Sequence, residues 1–190
     1  MSLSTSPLNG TTPAARPAPA SLVLPDIPGL GGAIAGLAGG VAMMATAAVI
    51  ANSLGRDTWL EARQIAAPFY GEAALAPTNA APVIVGTLIH LLMSALLGAA
   101  FGIVSRRVLR LTSDFGTPVL VGMIYGMLIW TAAFFVVLPI VNPALLETYQ
   151  PSFIIQNLVY GMVTGLVYTK LRPEPYLRGT PARSLGAAGD

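Results

Sequence analysis

The chain contains no cysteine, which excludes a disulfide framework and a thiolate metal site. It holds a single histidine, whereas a zinc or di-metal centre needs three or four converging His, Cys or carboxylate ligands. Charge is equally scarce. Only 9% of the 190 residues are Asp, Glu, Lys or Arg, while 54% are apolar, against about 25% and 45–50% in soluble domains. The segments 27–55, 73–105, 115–146 and 148–169 carry no charge at all. Each reaches the roughly 20 residues needed to cross a hydrocarbon core of about 30 Å. No intramembrane Asp, Glu, Lys or Arg is therefore available as the relay of a coupled transporter. A Gly-x-Ser-x-Gly elbow, a Walker loop and a dinucleotide fingerprint are also missing, so no catalytic residue is assigned and no enzyme is expected.

What the sequence does contain is small residues at helical spacing. Gly86, His90, Ser94, Gly98 and Gly102 recur every fourth position, which on a helix makes one stripe of minimal bulk. Gly32, Gly36 and Gly40 repeat the spacing in the first apolar stretch, Gly122 and Gly126 in the third, and Gly161 and Gly165 in the fourth. One such spacing is common by chance. One in each of four stretches predicts an all-α, four-helix transmembrane bundle with spans at about 30–52, 82–104, 117–140 and 153–169. In lipid, helices associate by dispersion contacts that small residues allow at short range.

The connections refine this layout. Residues 1–28 are rich in Pro, Ser, Thr and Ala, a composition expected to stay disordered, and 172–190 form a basic, proline-containing tail expected to be mobile. The transmembrane domain is thus 29–171. Loop one carries Trp59, Phe69 and Tyr70 beside Arg56, Glu61 and Arg63. It is expected to form a short helix, capped by Asp57 or Thr58, that lies at the membrane interface or docks a partner. Spans two and three are joined by a short basic loop and should form a tight hairpin. Pro139 and Pro143 should stop span three. Span four carries Gln156, Asn157, Tyr160 and Thr164 and must turn that side toward protein. The N-tail, loop two and C-tail hold Arg16, Arg106, Arg107, Arg110, Lys170, Arg172, Arg178 and Arg183, whereas loops one and three hold only Arg56 and Arg63. Both termini are therefore expected in the cytoplasm, with the chain multi-pass in its membrane.

An internal repeat is also visible. His90, Ser94, Gly98 and Phe101 align with Asn157, Gly161, Gly165 and Tyr168, and Gly36 and Gly40 align with Gly122 and Gly126. The match implies two tandem helical hairpins in the same orientation. Gly98 and Gly165, equivalent in that repeat, are expected where spans two and four approach most closely.

A cytoplasmic start, a long first loop, a histidine early in span two, Pro139 at the end of span three and a polar, aromatic span four together resemble the small four-helix bacterial inner-membrane proteins of the YagU-like type. The resemblance covers roughly 31–171 and implies the same four-span fold and a bacterial inner-membrane location without implying an activity. Where such proteins tend to carry a second histidine, this chain has Gln156 and Asn157, so a metal or haem role does not carry over.

His90 has two readings. It is a neutral imidazole bonded across helices to Asn157, Gln156, Tyr160 or a backbone carbonyl, or it is the single axial ligand of a haem- or chlorophyll-type tetrapyrrole with Gly86 leaving room for the macrocycle. The first reading makes His90, Gln156, Asn157, Tyr160 and Thr164 a polar intramembrane cluster and implies no cofactor. The function expected is that of a structural or accessory subunit among membrane lipid and other subunits or copies of itself, with no nucleic-acid partner. The alternatives are a small channel or transporter with a path between spans two and four, and a pigment-binding subunit.

Overall fold

A computed structural model describes residues 27, 29–109 and 116–171. The two tails and the tip of loop two, including Arg16, Arg110, Arg172, Arg178 and Arg183, lie outside the described residues, as do the disordered and mobile states expected of those tails. The described chain is all α. Helix α1 spans Leu30–Ser53, α2 Leu60–Tyr70, α3 Ala80–Val104, α4 Thr117–Ala132, α5 Leu138–Val141 and α6 Gln150–Leu171. Three stretches are long and apolar enough to cross a membrane: Leu30–Ser53, Ala80–Arg107 and Thr117–Val141. The fourth long helix, α6, is more polar.

Local chemistry sets the ends. Gly29 precedes α1 at φ 84°, a left-handed conformation that costs glycine least. Asn79 caps α3, its side-chain oxygen accepting from the Ala81 N–H at 3.1 Å, and Pro82 sits in the first turn, where its missing N–H is not needed. Pro139 does not stop the third span. The helix widens into a π turn at Ala133–Val137 and resumes as α5, because one extra residue per turn absorbs the clash a proline ring makes with the preceding turn. Span four begins at Gln150, earlier than the expected 153, because Pro151 occupies the first turn as a helix starter rather than a breaker.

Small residues face inward and large apolar ones outward. On α3, Gly86, Ser94, Gly98 and Gly102 are buried, whereas Leu88, Leu92 and Leu96 are exposed by about the same amount, 61%, 60% and 56%. On α4, Gly122 and Gly126 are buried and Leu120, Ile124 and Leu128 exposed. A protein folding in water would bury the leucines. This inverted pattern is the one a lipid surround selects.

The long helices pack as α1 on α3, α4 on α6, and α1 on α6. In the first pair a Cβ on Gly36 would strike the Ser94 carbonyl, and one on Gly98 the Gly32 carbonyl. In the second pair a Cβ on Gly122 would strike the Gly161 carbonyl, and one on Gly165 the Pro118 carbonyl. Under the alignment read from the sequence these contacts are equivalent, since Gly32 and Pro118 each lie four residues before an aligned glycine. Gly98 and Gly165 consequently do not face each other. Each meets the helix of its own hairpin, and the expected seam between spans two and four is replaced by side chains that cross it.

Candidate functional site

At the end of the bundle where loops one and three meet, the first half of α3, the second half of α1, α2, α5 and the start of α6 surround a cavity of about 740 Å³. That volume lies within the range of ligand sites, roughly 300–1,000 Å³. Met44, Ala48, Ile65, Ile89, Leu138, Leu145 and Phe153 supply apolar walls, and Glu61, His90 and Gln156 supply polar atoms.

Helix α2 forms the roof. It packs on α3, and the tightest point is Gly86, where a Cβ would run into the Ala62 carbonyl. Loop one therefore docks on the protein: Arg63 and Gln64 are buried beneath it, while Trp59 and Phe69 stay 50% and 72% exposed along the edge of the cavity. Arg63 pairs with Asp57, so this basic residue is a structural ion pair and not a solvated flank. The Asp57 side chain also accepts from the Trp59 N–H at 2.9 Å. That backbone bond and the Arg63 guanidinium hold its carboxyl below the usual range against the opposing effect of burial. Asp57 thus stabilises the turn before α2 rather than serving as its N-cap residue, which is Trp59. Gln64 ties α2 to loop three: its amide donates to the Ala144 carbonyl at 3.0 Å, its oxygen accepts from Thr148 at 3.2 Å, and its carbonyl accepts from Asn142 at 2.9 Å.

Glu61 lies at a boundary. On one side is the cavity; on the other is a water-sized pocket of about 40 Å³ lined by Arg56, Asp57, Thr58, Glu147 and Tyr149, with the Arg56 guanidinium 5.2 Å from the centre of the Tyr149 ring. Glu61 Oε1 accepts from Gln156 Nε2 at 3.0 Å, and the same Gln156 nitrogen lies 2.9 Å from Ser152 Oγ. Burial pushes the Glu61 carboxyl above its ordinary value, and the Gln156 hydrogen bond offsets part of that rise.

The five residues of the expected polar cluster do not form one network. His90 Nε2 donates to the Gly40 carbonyl of α1 at 3.1 Å. Gln156 joins Glu61. Asn157 donates to the Phe153 carbonyl of its own helix at 2.9 Å. Tyr160 donates across the bundle to the Ser94 carbonyl at 2.8 Å. Thr164 is fully buried, with its hydroxyl against Gly39 of α1. The tetrapyrrole reading of His90 does not fit this arrangement, because Nε2 is engaged by Gly40 and the space at Gly86 is filled by Ala62. Glu61 was not singled out by sequence reasoning. Its only signal is a glutamate beside aromatic residues in loop one, which a solvated surface helix would show equally.

Among the described residues no group of three or more His, Cys, Asp or Glu is placed to hold a metal ion. Fold and site together define an all-α protein with three helices long enough and apolar enough to cross a membrane, and with a largely apolar cavity at one end. The chain belongs to a family of unknown function, DUF6789, whose family model matches residues 28–178. No curated protein and no solved structure matches it.

Proposed function

We propose that the chain is a non-catalytic, four-span integral membrane protein that acts as a structural or accessory subunit of a membrane assembly. The observation that carries the reading is the use of its polar side chains. Tyr160 reaches the Ser94 carbonyl, Tyr168 the Gly102 carbonyl at 3.0 Å, Tyr125 the Leu97 carbonyl at 2.7 Å, and His90 the Gly40 carbonyl. Each fastens one helix to the backbone of another, which is the work of interhelical glue. On this reading α6 is the fourth span. Its low hydropathy follows from the buried Gln156, Asn157, Tyr160 and Thr164, which face protein, so the helix can sit in lipid despite them. The distribution of basic residues then puts both termini in the cytoplasm, and the layout shared with the YagU-like inner-membrane proteins agrees with it. Affinity purification in mild detergent from native membranes is the test. A partner subunit or a homo-oligomer in fixed stoichiometry is the expected result; a lone monomer that carries solute flux in liposomes would replace this reading with the channel alternative.

A further inference from the structure

The cavity and the water-sized pocket share Glu61, and their linings differ in kind. The small pocket is polar and charged, with Arg56, Asp57 and Glu147 around it. The large one carries a single acidic side chain, Glu61, on otherwise uncharged walls in which His90 is already bonded to Gly40. Its rim includes Val41 and Met93, exposed at 57% and 49%, on the faces of α1 and α3 that turn away from the bundle. An occupant can thus enter from the side, at the level of the lipid.

Charge complementarity narrows its chemistry. No lysine or arginine lines the cavity, and the His90 imidazole is engaged by Gly40, so no fixed positive charge there neutralises a phosphate or a carboxylate, and burying such a group unpaired is expensive. Glu61 Oε1 is taken by Gln156, and no further hydrogen bond to Glu61 is present among the described residues. The side chain can accept one more donor. We propose that the cavity binds one uncharged membrane amphiphile with a hydroxyl head, of the monoglyceride or long-chain alcohol class, its chain among Met44, Ala48 and Ile89 and its hydroxyl donated to Glu61.

The half-buried carboxyl then gains a second polar partner where the charged and apolar pockets meet, and the apolar walls are covered by the chain. The upward displacement of the Glu61 carboxyl is consistent with a site that favours a neutral ligand over a charged one. The inference rests on the membrane placement proposed above, and the experiment separates the two.

The full chain would be reconstituted in phospholipid nanodiscs and titrated with deuterated monooleoylglycerol, with oleate at pH 8 as the charged competitor of equal chain length, and bound lipid counted by native mass spectrometry. One monooleoylglycerol per chain, held at least tenfold more tightly than oleate, is expected. Glu61→Leu should weaken it about tenfold. Ala48→Trp and, independently, Ala45→Trp, both of which fill the cavity from α1, should abolish it while leaving the elution profile and thermal midpoint near those of the parent chain. Equal binding of oleate, preferential retention of phospholipid, or unchanged binding in whichever tryptophan variant folds would overturn the proposal. A chain that stays soluble without detergent or lipid would instead remove the membrane placement itself.

Discussion

The two hairpins, α1 with α3 and α4 with α6, make the same backbone contacts from different sequences. Gly36 against Ser94 corresponds to Gly122 against Gly161, and Gly98 against Gly32 corresponds to Gly165 against Pro118. They differ in what crosses each seam. At the position of His90, whose ring reaches Gly40 on the neighbouring helix, the second hairpin has Asn157, which bonds within its own helix. At the position of Gly39, which lets α1 approach the Tyr160 backbone and Thr164 of α6, α4 carries Tyr125. Its hydroxyl meets Leu97 and its ring lies 5.1 Å from Phe101. One cross-seam is closed by a glycine, and the other is spaced by a phenol. The small-residue geometry is therefore the shared frame, and the polar side chains and the inserted α2 are local additions to it.

The largest expected effect breaks the shared frame. Gly98→Ile and Gly165→Ile each drive a branched side chain into a neighbouring carbonyl, and both should cost about 3 kcal/mol or more, the upper part of the range for overpacking. Ala100→Ile, on an exposed position of α3, should cost less than about 0.5 kcal/mol. Thermal unfolding of the three variants in detergent checks this. Unequal losses at the two glycines would show that the hairpins are equivalent in geometry but not in energy.

A second effect is confined to the roof helix α2 and the loop between α5 and α6 that it holds. Gln64→Ala leaves Asn142 its backbone partner but removes the bonds to Ala144 and Thr148, and should cost about 1–3 kcal/mol. Hydrogen exchange should rise in α2 and loop three and stay unchanged along α4 and α6.

The third is a pH effect. Because the folded-state carboxyl of Glu61 titrates above its unfolded value, the folded chain binds more protons in the window between them. Stability should fall as pH rises through that window, from the ordinary glutamate value of 4.5 upward. Glu61→Gln should flatten this dependence. Asp57 acts in the opposite sense, since its carboxyl is held low: its contribution is present above the ordinary value of 3.8 and is lost as pH falls through the folded value. Denaturation followed across pH in the parent chain and in Glu61→Gln separates the two.

The smallest effect is expected at His90. His90→Gln retains a donor for the Gly40 carbonyl and should cost about 1 kcal/mol or less, the scale of hydrogen bonds between membrane helices. A loss of several kcal/mol would mean that the imidazole does more than join α3 to α1.

The ladders of small residues were legible because a four-residue spacing fixes a helix face whatever the surroundings. Which ladder meets which was not legible. A glycine carries no mark of its partner, so Gly98 was assigned to span four on repeat equivalence when equivalence places it in its own hairpin. Gly86 was read as space on the same ladder, but its occupant is the Ala62 carbonyl, supplied by a loop helix whose exposed Trp59 and Phe69 read as an interfacial segment. The cavity and Glu61 were hidden for a related reason. Both exist only because α2 folds back on α3, a long-range packing choice that composition and spacing do not encode. The polar face of α6 was legible as facing protein, though its partners in three dimensions were not.

The absence of native cysteine makes the pairing of the helices directly measurable. Oxidative cross-linking in membranes would compare the double variant Gly29→Cys with Ala99→Cys, whose Cβ positions lie 3.3 Å apart between the start of α1 and α3, against His90→Cys with Asn157→Cys, which stand on the stripes of Gly98 and Gly165 and lie in separate seams. A disulfide in the first pair and none in the second is the expected result. Efficient bonding of His90→Cys to Asn157→Cys, with none between the first pair, would contradict the two-hairpin packing at its centre.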